Sequence, residues 1–317
     1  MSNQSTVTEF LLWSFSDIRE LQVLHFVVFL VMYLAALVGN LLIISAVALD
    51  HHLHTPMYFF LGNLSILDLG FISVTVPKSM ANSLLGTSSI SYSGCFTQVF
   101  FLLFFIGGDF FLLTVMAYDR YVAICQPLHY RRVMTRRCCV HMVASAWMTG
   151  ILNSALHTGS TLAVSFCKGN RVDQFFCEVP HLLKLACPAS YPNENGLLLF
   201  SACLVLSCFV LIIVSYIQIF RAVLRIPSEQ GRHKAFSTCF PHLAVVSLFI
   251  STGTFAYLKP TSSSAPGLDL VVAVFYSILP PVMNPVIYSM RSKEIEAALR
   301  KLVGWRLAPK SQNPITS

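Results

Sequence analysis

The chain has 317 residues, of which 55% are hydrophobic and only 11% charged, and its mean hydropathy is +0.68. Soluble domains carry about 25% charged residues, so a soluble fold is excluded and lipid must be the solvent for most of the surface. The formal net charge of +7 does not point to nucleic acid, because the basic residues lie between apolar runs and form no patch with interleaved aromatics.

Seven apolar runs can cross a hydrocarbon core of about 30 Å: 23–49, 57–80, 94–122, 140–161, 196–220, 236–258 and 269–290. None shows the polar stripe of a soluble helix or the period-2 alternation of a barrel strand. Backbone facing lipid must satisfy its own hydrogen bonds, so each run is expected to be a helix. The fold class is an all-α seven-transmembrane-helix bundle forming a single domain over 1–317. It has an extracellular segment 1–22, a bundle 23–291 and a tail 292–317. Fourteen Lys and Arg fall in the loops and tail of one side and six on the other. The richer side is cytoplasmic by the positive-inside rule, so the amino terminus is outside and the carboxyl terminus inside.

In chain order, residues 1–22 carry Glu9, Asp17 and Glu20 and lack the basic, then apolar, layout of a cleavable signal. The first helix is therefore expected to act as its own insertion signal. Asn3-Gln4-Ser5 is a glycosylation acceptor on the outer side; a second triplet, Asn63-Leu64-Ser65, falls inside the second span. The first span, Val23 to Leu49, has His25 as its only ionisable side chain. The loop after it (Asp50, His51, His52, His54) has no Lys or Arg, which is the weak point of the orientation. Its histidines read as a polar turn rather than a metal site.

Ionisable residues inside a membrane are expensive and therefore informative. Asp68 lies mid-second span and Asp109 mid-third, with Asn40 and Asn284 at comparable depth. Two carboxylates in low dielectric need a cation between them, or one takes a proton. Hard oxygen ligands favour a sodium ion at Asp68 and Asp109, and a hydrogen-bonded protonated Asp is the alternative. At the inner end of the third span, Asp119-Arg120 forms a pair whose release would expose Arg120 to a partner. The plainer reading is a static ion pair. Cys138-Cys139, near His141 at the start of the fourth span, reads as two juxtamembrane thiols.

Residues 162–195 form the one long extracellular loop. Cys95, Cys167, Cys177 and Cys187 all fall at or in outer segments, where disulfides persist, and allow two bridges in three pairings. The other six cysteines are intramembrane or cytoplasmic. Beyond the seventh span, Ile295, Ala298, Leu299 and Leu302 give 292–303 one apolar face, which suits a short eighth helix along the inner interface.

Several strings carry a resemblance: Gly39-Asn40; Pro56 to Asp68; Met116 to Tyr130; Ser215-Tyr216; Lys234 to Cys239; and Pro281 to Tyr288. In this order, over nearly the whole chain, they resemble the odorant-receptor family of rhodopsin-like (class A) G-protein-coupled receptors. The resemblance implies a Cys95–Cys177 bridge from the third helix to the long loop and a Cys167–Cys187 bridge within it. It implies an inner switch built from Asp119, Arg120, Tyr121, Tyr216, His242, Asn284, Pro285 and Tyr288, with Lys234 and the intracellular arginines meeting a stimulatory heterotrimeric G protein that raises cyclic AMP. Three departures stand out: Phe240-Pro241 before His242 where small residues are usual, Ile250 where an aromatic is usual, and Asp109 where Glu is usual.

By the same analogy the ligand enters the outer half of the bundle, between the third, fifth, sixth and seventh helices. Leu102, Leu103, Ile106 and Gly107 share a face of the third helix. Matching positions elsewhere are Phe200, Ser201, Leu204, Ile250, Gly253, Thr254, Tyr257, Val274 and Ser277. Each taken singly reads as helix packing; as a set they read as a pocket of hydrocarbon with a few hydroxyls and no charge. Such a pocket suits a small, neutral, lipophilic, volatile odorant. A non-olfactory chemosensory receptor is the alternative. A transporter would show inverted repeats and broken helices, and neither is evident. An enzyme would show a catalytic motif, and none of the familiar ones occurs.

Overall fold

The computed structural model describes residues 8–14, 16, 18–187, 195–258 and 266–307. Seven long helices run through it: α1 (Arg19–Leu49), α2 (Pro56–Leu85), α3 (Tyr92–Cys125), α4 (Arg136–Leu162), α5 (Asn195–Leu224), α6 (Glu229–Leu258) and α7 (Pro266–Arg291). All seven contain a stretch long and apolar enough to span a membrane. The helices outrun the apolar runs by up to two turns, because polar residues can continue a helix through the headgroup layer. At the start of α4, for example, Thr135 Oγ1 accepts from the Cys138 N–H at 3.2 Å and caps a turn that carries Arg136 and Arg137.

Burial orders the bundle. The apolar stretches of α2, α3 and α7 are 56%, 50% and 56% buried, whereas those of α1 and α5 are 22% and 11% buried and give the rest to lipid. The contact between α1 and α7 explains Gly39-Asn40. Pro285 has no N–H, so the Pro281 carbonyl one turn before it loses its helical donor. Asn40 Nδ2 replaces that donor at 2.9 Å. A Cβ on Gly39 would lie 3.1 Å from the Pro285 side chain, so the glycine lets the two helices approach closely enough for the bond to form.

An extracellular cap sits over the bundle. Strands β1 (Glu9–Leu11) and β2 (Ser89–Ser91) pair antiparallel, with Phe10 opposite Ile90. Leu11 N donates to Asn170 O and Val172 N to Leu11 O, both at 2.8 Å, which ties the amino-terminal segment to the long loop. Phe10, Phe96, Val172 and Leu182 are buried together beneath this sheet.

At the inner end, α8 (Lys293–Leu307) turns away from α7. Ser292 Oγ caps it by accepting from Ile295 N at 3.2 Å. Ile295 and Ala298 are buried, and Leu299 and Leu302 pack against the same cluster. The loop lacking Lys and Arg is tied down from here, since Lys301 Nζ reaches Asp50 Oδ2 at 3.2 Å. The Asp50 carboxyl is held below the usual carboxylate range, first by the His52 N–H and then by Lys301.

Candidate functional site

A cavity of about 730 Å³ lies inside the bundle. Leu103, Ile106 and Gly107 of α3, Ser201 and Leu204 of α5, and Ile250, Gly253 and Thr254 of α6 line it. Four other positions expected on its wall are elsewhere. Leu102 is fully buried against Phe71, Phe175 and Phe176, because the long loop pushes two aromatic rings into the bundle there. Phe200 is 46% exposed on the outer surface of α5. Val274 packs between the α7–loop and α1–α2 clusters. The buried Ser277 hydroxyl is spent on Ala273 O at 2.7 Å. Asn3 and the Tyr257 side chain lie outside the described residues.

The cavity differs from expectation in two further ways. Helix α4 joins the wall with Thr149, Gly150, Asn153 and His157, and the floor reaches Asp68 and Asp109, so the space is not free of ionisable groups. The participation of α4 has a steric basis. A Cβ on Gly150 would lie 3.1 Å from the Phe104 carbonyl, so α4 meets α3 at backbone distance here. The signal missed in the sequence was the pair Asn153 and His157, four residues apart on one helix face in a span without Lys, Arg, Asp or Glu in its core.

On the floor, Asn284 Nδ2 donates to Asp68 Oδ2 at 2.9 Å, and Asp109 lies within electrostatic reach of Asp68. Asp109 Oδ1 and Asn284 Oδ1 are buried without a hydrogen-bond partner among the described residues. Two carboxylates with spare acceptor oxygens, and no Lys or Arg among the described residues that line the cavity, fit a hard monovalent cation such as sodium.

Beneath the floor, buried polar groups link α3, α5 and α6. The Arg120 guanidinium pairs with Asp119 Oδ2, its Nε at 3.0 Å, and the Tyr130 hydroxyl donates to Asp119 Oδ1 at 2.8 Å. Tyr130, the last residue of the string that begins at Met116, lies on a one-turn helix in the loop after α3, and the resemblance implied no separate role for it. Here the Asp119 charge joins burial in raising the phenol well above its usual range. His242 is fully buried, with Nε2 2.9 Å from Leu113 O and Nδ1 2.6 Å from the Tyr216 hydroxyl. A carbonyl only accepts, so Nε2 carries the proton and Nδ1 accepts from Tyr216. Tyr288 is buried with its hydroxyl unbonded among the described residues. Tyr121 Oη accepts from Gln126 Nε2 at 3.2 Å, and Lys234 is exposed at the cytoplasmic start of α6.

Above the cavity, Cys95 is bonded to Cys177 and Cys167 to Cys187. Glu178, the residue after Cys177, is buried. It accepts from Gln174 Nε2 at 3.3 Å and from the Tyr276 hydroxyl of α7, and His181 Nδ1 is 2.6 Å away. Burial pushes this carboxyl up, but the bonds and charge from His181, Tyr276 and Gln174 outweigh it and hold the group below its ordinary range.

A seven-helix membrane bundle with an interior cavity and an Asp-Arg pair closing its third helix is a rhodopsin-like, G-protein-coupled receptor. The chain belongs to the olfactory receptor family, whose family model matches residues 29–305. It is 54% identical over 307 residues to olfactory receptor 14I1 of Homo sapiens, which covers 97% of each chain. To olfactory receptor 14A16 of Homo sapiens it is 50% identical over 310 residues, 98% of this chain and all of the relative. To olfactory receptor 1f45 of Rattus norvegicus it is 49% identical over 309 residues, 98% of this chain and 99% of the other. The protein is thus a multi-pass membrane receptor for small molecules, not an enzyme, with its amino terminus outside the cell.

Proposed function

We propose that this receptor takes small, neutral, lipophilic, volatile odorants into the cavity between α3, α4, α5, α6 and α7 and activates a stimulatory G protein that raises cyclic AMP. The observation that carries the reading is a mostly apolar cavity of about 730 Å³, on the same α3 and α6 helices that hold the His242 clasp below it. Affinity comes from apolar burial, worth about 25 cal/mol per Å². Activation follows only if the agonist binds the inward-open arrangement more tightly than the resting one. Arg120, released from Asp119, then meets the G protein together with Tyr121 and Lys234, while Tyr216, His242 and Tyr288 rearrange around Pro285. Asp68, Asp109 and Asn284 would hold a sodium ion, which supplies positive charge between the two carboxylates. The test is a cyclic-AMP reporter assay against a volatile panel, with Arg120→Ala matched for surface display. The expected result is a ligand response that Arg120→Ala abolishes. A response untouched by that substitution, or transport of a solute instead of signalling, would overturn the proposal.

A further inference from the structure

The polar wall of the cavity has a direction. Asn153 and His157 lie one turn apart on α4, facing Ser201 of α5, and all three line the cavity. The Ser201 hydroxyl donates to Asn153 Oδ1 at 2.8 Å. A serine has one proton to give, so His157 Nε2, 2.7 Å from the same Oγ, must be the donor in that contact. The chain of bonds therefore runs from His157 to Ser201 to Asn153 Oδ1, with the amide oxygen turned towards the hydroxyl. Its oxygen is used, and the Nδ2 hydrogens make no hydrogen bond among the described residues. Several other polar groups on the wall are already engaged, although Asp109 Oδ1 on the floor has no partner among the described residues. Thr252 Oγ1 donates to Leu248 O at 2.8 Å, Tyr276 donates to Glu178, and Asp68 accepts from Asn284. Most of the remaining lining is apolar, with Leu103, Ile106 and Val205 among it.

Resting on the reading of this cavity as the odorant site, we infer that the receptor selects ligands carrying a hydrogen-bond acceptor, a carbonyl above all, docked on Asn153 Nδ2. Ser201 and His157 are positioning residues: they orient the amide and do not themselves read the ligand. A carbonyl oxygen accepts one of the amide hydrogens and brings no donor of its own that would need a partner. An alcohol oxygen can also accept one of them, but its own proton finds no acceptor on the amide, whose Oδ1 is taken by Ser201, and a buried unpaired donor costs about tenfold or more in binding. An alkane leaves the amide unpaired and is penalised in the same way. The site is thus set against donors as well as towards acceptors.

The test uses full-length receptor on cells with a cyclic-AMP reporter, with octanal, octanol and octane as one matched set and acetophenone, phenylethanol and ethylbenzene as another. The carbonyl member should be more potent than its alcohol and hydrocarbon by about tenfold or more. Asn153→Asp replaces the donor with an acceptor in the same shape. It should lower carbonyl potency about tenfold and raise that of the alcohol, an inversion that loss of packing would not produce. Ser201→Ala frees the amide to turn and should flatten the preference without inverting it. Equal potency of carbonyl, alcohol and hydrocarbon on the unaltered receptor overturns the inference while leaving the cavity reading intact. So does an Asn153→Asp receptor that loses all three ligands equally at matched surface display. If no member of either set acts on surface-displayed receptor, the cavity reading falls and this inference falls with it.

Discussion

Replacing Asp119 by Asn tests the inner clasp most sharply, because it changes the number of acceptors without changing shape. The carboxylate serves donors on both oxygens: Arg120 on Oδ2, with Nε at 3.0 Å, and Tyr130 on Oδ1 at 2.8 Å. An amide offers one oxygen, so either Arg120 or Tyr130 is left facing an NH₂ group. Asp119 is fully buried and Arg120 nearly so. Leaving a buried donor unsatisfied costs about 1–3 kcal/mol, more where it is charged. A loss of 1.5–3 kcal/mol in the resting arrangement alone raises the active fraction by roughly ten- to hundredfold while that fraction is small. The expected result for Asp119→Asn is a matching rise in ligand-independent cyclic AMP per receptor at the surface. Adding Tyr130→Phe removes the competing donor and lets the Asn oxygen turn to Arg120, so the double variant should fall part of the way back. Tyr33→Phe, which loses only a hydroxyl contact to Ser73, serves as the control. Basal signalling unchanged in Asp119→Asn at matched surface display, or additive effects in the double variant, would refute this account of the clasp.

Three other outcomes are expected. The Cys95–Cys177 bridge closes 82 residues and Cys167–Cys187 closes 20, worth about 4.5 and 3.3 kcal/mol on the chain-entropy scale; Cys95→Ser should therefore cost more surface receptor by flow cytometry than Cys167→Ser. Gly150→Val drives a side chain into Phe104, where even a Cβ would sit 3.1 Å from the carbonyl. Overpacking of this kind costs about 1–3 kcal/mol, and the midpoint of thermal unfolding in detergent should drop by several degrees. Because the Glu178 carboxyl is held below its ordinary value of 4.5, its contribution to the loop is complete above that pH. The contribution is lost only as pH falls through the still lower folded value. Agonist potency should stay flat from neutrality to about pH 5 in the unaltered receptor and be reduced throughout that range in Glu178→Gln. Unreduced potency in Glu178→Gln at matched surface display would show that Glu178 is not the group holding the loop.

What the sequence discloses follows from where the physics is one-dimensional. Seven spans are legible because a bilayer demands about 20 apolar residues in a row, and runs such as Val23 to Leu49 meet that demand without help from neighbours. The three-residue strands at Glu9–Leu11 and Ser89–Ser91 are too short to show a period, and their pairing depends on a contact between segments far apart in the chain. On the cavity wall the difficulty is rotational. Successive helix residues turn by about 100°, so Leu102 and Leu103 belong to one apolar run yet face different neighbours. Only the seating of Phe175 and Phe176 decides which of the two sees the cavity. Attention to formally charged residues found Asp68 and Asp109, but it passed over Asn153 and His157, which are polar without being charged at neutral pH.

A ligand that binds two arrangements equally shifts neither, so agonism here requires a contact that differs between them. The geometry narrows where that contact is. Ile250 lies eight residues above His242 on α6, about 12 Å along a helix, and both belong to one rigid rod. His242 is bonded across to Leu113 O on α3, while Leu103, Ile106 and Gly107 on α3 line the cavity opposite Ile250. A molecule wedged between those residues therefore presses on the same two helices that the His242 bond holds together lower down. One that fits without pressing them apart adds affinity but no signal. Size at the α3–α6 side and hydrogen-bonding at the α4–α5 side are then separate requirements. On the proposed function, the first would govern efficacy and the second which functional group is admitted.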